Sequence, residues 1–291
     1  MNRYRSLLFG ILVILGGCAT LPPREAPDVS TAPPFAHPLL QVAQRYALQD
    51  LSISTPSMLL ILPNAHVLTT NPELMEALGI DQRVARRIQQ VVLLSFAGER
   101  AEDGADLLWI SGSFPALATA IGLRRAGWRR QGRGVWADGA GQQITRVDDG
   151  ILRVETGTLF LTPLSPPTSE TLTLQEVDGL LHGDGEEELV LYVAQPPLPG
   201  EMAALATTGL APSAVFLHIV AGEMRVQARM PTERDARVAV VTLRFLAAGI
   251  LDHLAIPRRE NFSIQRQDNW IEIQGLAYSA EALLQRVGGI E

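Results

Sequence analysis

The sequence predicts an α+β protein of two tandem modules, each an antiparallel sheet with helices packed on one face, and three observations lead there. Of 291 residues, 47% are apolar and 19% charged, the balance of a folded chain rather than a disordered one. Behind a proline-rich N-terminal stretch, one order of short apolar runs and amphipathic segments occurs twice. Landmarks also recur in one order: Gly79 with Gly209, Ala97 with Ala221, Pro115 with Pro231 and Trp136 with Trp270, at offsets of 130, 124, 116 and 134 residues. Four matches in register, drifting only by loop lengths, are the mark of an internal duplication.

In the first unit the strands fall at about 57–63, 91–98, 106–114, 128–133 and 135–138, with helices at about 72–90 and 115–126. The second unit has strands at about 188–194, 214–220, 224–230, 262–266 and 270–275, and helices at about 200–208 and 233–254. A last helix covers about 279–287. Leu59-Leu60-Ile61-Leu62 and Leu189-Val190-Leu191-Tyr192-Val193 are continuous apolar runs of strand length. Asp138-Gly139, Asp149-Gly150 and Asp268-Asn269 can supply the positive φ of tight hairpins, and Ala-Gly-Glu at 97–99 and 221–223 puts a glycine between two strands. Arg153, Val154 and Glu155 alternate as a strand with one wet face does. Strand-helix-strand-strand-helix-strand is the order of a ferredoxin-like split β-α-β unit, so two such modules are expected, at 39–165 and 170–291, joined through Leu164 to Ser169. The stretch Val238–Leu251 is apolar but carries Arg244 and is shorter than a membrane span, which makes it a core helix.

The N-terminus has another character. Arg3 and Arg5 precede the ten-residue apolar run Ser6–Leu15, too short to span a bilayer but the right length for a secretory signal. The run ends in Leu15-Gly16-Gly17-Cys18, which resembles the lipobox of bacterial lipoproteins. The resemblance implies a signal peptide at 1–17, cleavage before Cys18, and a diacylglycerol on the Cys18 thiol. Ala19 in place of Asp resembles the pattern of lipoproteins sent to the outer membrane. Cleavage leaves 274 of 291 residues and takes the formal charge from −7 to −9, since Arg3 and Arg5 are lost. Cys18 is the only cysteine, so an exported body folds without disulfides and depends on its core. Residues 18–38 then read as the acylated cysteine and a tether. Its six prolines favour an extended polyproline conformation, reaching roughly 60 Å from the bilayer at about 3.1 Å per residue.

Every one of the 24 basic residues is arginine, which excludes a phosphate-loop lysine, a Schiff-base lysine, a Ser-x-x-Lys pair and a kinase lysine. The acidic balance argues against nucleic acid as the partner. Of the five histidines, His37, His66, His182, His218 and His253, no two lie at metal-pair spacing, and no metal is expected. The run His182-Gly183-Asp184-Gly185-Glu186-Glu187-Glu188 lacks the ligand spacing of a calcium loop and reads as an acidic loop entering a strand. Gly132-x-Gly134 lies in a hairpin rather than at a strand-to-helix turn, so no nucleotide is expected. Gly112-Ser113 lacks the second glycine of a nucleophile elbow. Arg124, Arg125, Arg129, Arg130 and Arg133, with Trp128 and Trp136 interleaved, form the one basic cluster. It is the candidate site for an envelope protein's acidic surface or an anionic lipid head group, against a structural role in helix capping and strand-edge protection. The sequence thus predicts a lipid-anchored, non-catalytic envelope lipoprotein that binds or scaffolds a partner, without cofactor. A carrier of an apolar ligand held in a groove between the modules is the second reading, and an envelope hydrolase converging on His66 or His182 the third.

Overall fold

A computed structural model of the chain describes residues 35–47, 51, 55–65, 86–96, 105–139, 141–148, 150–156, 172–181, 187–195, 211–253 and 255–288. The expected signal peptide, Cys18, most of the tether, the helices at 72–90 (before residue 86) and 200–208, the joint at 164–169, His66 and His182 lie outside them, as do Gly79, Ala97 and Gly209 of the duplication landmarks.

The described residues form an α+β fold in which every strand pairing is antiparallel. Twelve strands make one continuous sheet: β1 (Met58–Leu62), β2 (Ile88–Phe96), β3 (Ala105–Gly112), β4 (Arg129–Gly132), β5 (Val135–Ala137), β6 (Gln143–Asp148), β7 (Ile151–Thr156), β8 (Glu187–Ala194), β9 (Ala214–Val220), β10 (Glu223–Arg229), β11 (Arg258–Gln267) and β12 (Trp270–Ala277). Across the sheet they run β11-β12-β10-β9-β8-β1-β2-β3-β7-β6-β5-β4. The five described helices are α1 (Pro38–Arg45), α2 (Ala116–Arg125), α3 (Leu174–Asp178), α4 (Glu233–His253) and α5 (Ala280–Gly288).

Three expectations are corrected. First, the split β-α-β order is absent: β1 pairs directly with β2, and β8 with β9, where a split unit would insert another strand. Second, the halves are not separated by a groove. β1 and β8 pair antiparallel, Met58 opposite Val193 and Leu60 opposite Leu191, so β1–β7 and β8–β12 join edge to edge. Third, helices cover both faces. α1 and α3 pack through Leu39, Leu40, Leu174 and Val177 on the face that carries Leu59, Ile61, Leu94, Trp109 and Tyr192. α2, α4 and α5 cover the other face.

The register explains why one sheet forms. A single apolar row crosses eleven strands on the α2/α4/α5 face: Trp136, Ile144, Val154, Leu108, Leu93, Leu60, Leu191, Leu217, Val226, Ile273 and Ile264. Each residue is the direct partner of the next, so side chains of alternating strand positions stack without a polar interruption. A one-residue slip anywhere would turn that row outward. The β9–β10 hairpin closes on Ala221 and Gly222, both at positive φ (49° and 68°), the geometry such two-residue turns require. Gly275 on β12 (φ 74°) sits where a Cβ would lie 2.5 Å from the Phe262 nitrogen, beside the irregular pairing of β11 with β12. Only glycine lets the two backbones approach there.

The sheet order also revises the internal correspondence. β1-β2-β3-β7 in one half occupy the places of β8-β9-β10-β12 in the other, and Pro115 and Pro231 each precede the helix after the third strand. Trp136 and Trp270 do not correspond: Trp136 is on β5, while β12, which begins at Trp270, matches β7 in sheet position. β4 and β5 extend the first half outward, because the β6–β7 hairpin takes the place held by β11–β12.

Three local expectations also change. The strand expected at 91 starts at Ile88 rather than ending a helix, with Ser111 Oγ donating to Gln90 Oε1 across the β2–β3 ladder. The last residues of the segment expected as a tether over 18–38 belong to the body: Phe35 and His37 are buried, and Pro38 opens α1. β7 has no wet face. Arg153 and Glu155 are only 6% and 3% exposed, while Leu152 and Val154 fill the opposite side.

Candidate functional site

The basic cluster is gathered at one end of the sheet. Arg124 and Arg125 end α2, where cations offset the helix dipole. The chain turns through Gly127 (φ 85°) into β4, which carries Arg129 and Arg130, and Arg133 follows in the β4–β5 turn. All five arginines are exposed. None of them forms an ion pair with a carboxylate among the described residues. Arg130 Nε donates to the Gly132 carbonyl at 3.0 Å, which spreads the guanidinium along the strand. Among the described residues β4 pairs only with β5, so its outer edge presents a row of backbone donors and acceptors that none of them takes up.

Trp128 and Trp136 have a different role from the one expected. Both are buried in the core beneath α2, with Ile144, Leu152 and Val154. Only the top of the Trp136 ring meets the cluster, with the Arg124 guanidinium 6.0 Å from its centroid. The tryptophans therefore set the height of a rigid floor on which the arginines stand, and they do not offer an aromatic surface to a partner.

A second polar group gave no signal in the sequence. His37, the residue before α1, is buried, and its Nδ1 accepts from the Leu39 N–H at 3.3 Å. The Asp178 carboxylate at the end of α3 accepts from the backbone N–H of Ala36 at 2.6 Å and of His37 at 2.9 Å, bridging 141 positions of chain. Glu187, the first residue of β8, is buried nearby. Burial holds the His37 imidazole below its ordinary value, although Glu187 and Asp178 pull the other way. The fold thus disfavours the cation, and the unfolded chain takes up the proton first. Stability from this group is complete above pH 6.5 and falls as the pH drops below it. His37→Asn keeps a capping acceptor and removes the titration. It is expected to flatten the decline of unfolding free energy between about pH 7 and pH 5. Urea titrations across that range check this, and an unchanged slope would assign the decline elsewhere.

The other candidates disperse. His218 is buried in β9 against Phe216, at 4.3 Å between ring centroids. Glu187 and Glu188 belong to a strand rather than a loop; Glu188 Oε1 accepts from the Gly222 N–H at 3.0 Å. Gly112 closes against the Arg87 carbonyl, whose oxygen lies 2.0 Å from the place a Cβ would take, and Ser113 donates its backbone N–H to the same oxygen at 3.1 Å. Among the described residues, no three His, Asp or Glu side chains are grouped to hold a metal ion, and no helix is long and apolar enough to cross a membrane.

Comparison with known proteins adds the fold alone. No family model matches the chain, and no curated protein matches it. Among solved structures it is similar to TP0453: in crystal form III at 15% identity, with a TM-score of 0.52, over 84% of this chain and 99% of that one. Crystal form I gives 15% identity and a TM-score of 0.49 over 84% and 98%.

Proposed function

We propose that the chain is a lipid-anchored envelope lipoprotein, carried on an acylated Cys18 at the outer membrane, whose body is a non-catalytic platform for a protein partner. The observation that carries this is the β4 end of the sheet: five exposed arginines without carboxylate partners among the described residues, two of them on β4, whose outer edge is unpaired among the same residues, in a chain of net charge −7. An extended acidic segment of another envelope protein fits both features, its backbone extending the ladder and its carboxylates meeting the guanidinium forks. The body itself is read as a duplicated unit, each copy supplying four successive strands of the sheet around the β1–β8 seam.

A photo-crosslinking residue at exposed Gln131, between Arg130 and Gly132, tests the platform in native membranes. The expected result is a discrete protein adduct, lost in Arg129→Glu/Arg130→Glu and weakened at least tenfold by salt near 1 M, where the screening length falls to about 3 Å. Adducts to lipid only would transfer the site to anionic head groups, and no charge-dependent adduct would end the platform reading. The intact mass of the mature chain reads the anchor separately: it is expected to start at Cys18 and to carry acyl chains.

A further inference from the structure

α4 is a 21-residue helix with two apolar sides, and only one of them is covered. Ala236, Ala239, Val240 and Ala247 pack on Ile264 and Ile271 of β11 and β12. Outward stand Val238 (47% exposed), Val241 (51%), Phe245 (83%) and Leu246 (52%), four of the five large apolar side chains exposed among the described residues. The fifth, Leu117, is on α2 over the same sheet face. Val238, Val241 and Phe245 follow the three-then-four spacing of one helix stripe, bounded by exposed Arg234 at one end and Asp252 at the other.

The polar groups of this stretch are turned back onto the protein. Arg244 is the single charge between Val238 and Leu251, and its Nε and Nη2 both donate to the Ile264 carbonyl, at 3.2 and 2.8 Å. The Thr242 hydroxyl donates to the Val238 carbonyl at 3.0 Å. Arg244 itself stays exposed, beside the Val238–Val241–Phe245 stripe rather than within it. The expectation of a core helix is therefore corrected to half core, half open surface.

From this geometry we infer that the outer stripe of α4 is a docking face for the phospholipid bilayer, lying in the interface plane without crossing it. The inference rests on the lipid-anchor reading for its choice of occupant. The described residues begin at Phe35, and the sixteen residues 19–34 between it and Cys18 can span no more than about 50 Å at roughly 3.1 Å per residue. An anchored body held that close meets the leaflet continually, and the stripe has the form of an interfacial helix: outward Val238, Val241 and Phe245 flanked by exposed Arg237 and Arg244.

The test uses the full chain expressed with its leader, purified from membranes and placed in vesicles of phosphatidylcholine and phosphatidylglycerol. Acylation leaves Cys18 without a free thiol, so Phe245→Cys gives one labelling site for an environment-sensitive dye. Gln265→Cys on β11, exposed on the opposite sheet face, gives the control. The expected result is a blue shift at position 245, with loss of most of its intensity when the lipids carry a shallow chain-bound quencher, and neither change at position 265. Spectra at 245 that stay as in buffer would overturn the inference. So would a blue shift that lipid quenchers leave untouched, since that would place a second copy or another protein on the stripe. If the intact mass shows Cys18 unmodified, the anchor reading fails by itself. The same two probes, read in a Cys18→Ala background, then still decide the helix.

Discussion

Arg153→Met is expected to lower the unfolding free energy by about 3–5 kcal/mol, the cost of leaving a buried charge without its partner. Arg153 and Glu155 are neighbours on one face of β7, paired Nε to Oε1 and almost wholly withdrawn from solvent. Arg153 also reaches the end of α1, where Nη1 donates to the Tyr46 carbonyl at 2.7 Å. Desolvation holds the Glu155 carboxyl above its ordinary value even with Arg153 beside it, and without the guanidinium it rises further. A carboxyl raised in the fold stabilises below its unfolded value, near 4.5, and loses that contribution as the pH climbs through its folded one. The deficit of the variant should therefore be largest at neutral pH and shrink on acidification. The double variant Arg153→Met/Glu155→Leu removes both charges and is expected to recover part of the loss, keeping the roughly 1.5–3 kcal/mol of the charged Tyr46 hydrogen bond. Urea unfolding of the three proteins at two pH values decides the matter. A single variant no worse than the double would mean that the pair is solvated in solution.

The same pair shows what the sequence could and could not convey. Alternation in Ile151–Thr156 marks a strand correctly, and it separates Leu152 and Val154 from Arg153 and Glu155. It cannot say that α1 lies over the charged side, because that contact joins residues about a hundred positions apart. The hairpins at Ala221-Gly222 and Asp268-Asn269 were legible because their cause is local, a residue able to hold positive φ. The β1–β8 seam was not, since an apolar run of five residues states that it is buried without naming its neighbour. The strand order failed for the same reason. Two units of matching element order are compatible with several sheets, and the choice among them is made by long-range registers such as Leu60 with Leu191. At the candidate site, the arginine cluster was visible as a run of charge. The burial of Trp128 and Trp136 under it was not, because both positions suit an interface and a core equally well. The stripe on α4 was hidden by Arg244: a charge in the middle of an apolar run signals an aqueous side until its guanidinium is seen turned onto Ile264.

Asp178→Ala is the other substitution expected to have a large effect, a loss of about 3–5 kcal/mol. Its carboxylate is 2% exposed and accepts two backbone N–H groups, from Ala36 and His37. Each hydrogen bond to a buried charged group is worth about 1.5–3 kcal/mol, and alanine leaves both donors without an acceptor inside the protein. Asp178→Asn retains one acceptor oxygen but presents an amide N–H to the second donor, so an intermediate loss is expected. The consequence reaches beyond stability. These two bonds fasten Ala36 and His37 to the end of α3, with Phe35 buried just before them and Pro38 opening α1 just after. When they are lost, residues 35–37 are expected to come away from α3. Hydrogen exchange at the Ala36 and His37 amides should then approach the rate of an unfolded chain while the β1–β8 seam stays protected. Slow exchange at both amides in the alanine variant would show that something other than Asp178 holds them. If the chain is anchored through Cys18 and the α4 stripe rests on the bilayer, as proposed above, freeing residues 35–37 should leave the Phe245 contact in place, because the contact is made by the helix and not by the segment that leads to the anchor.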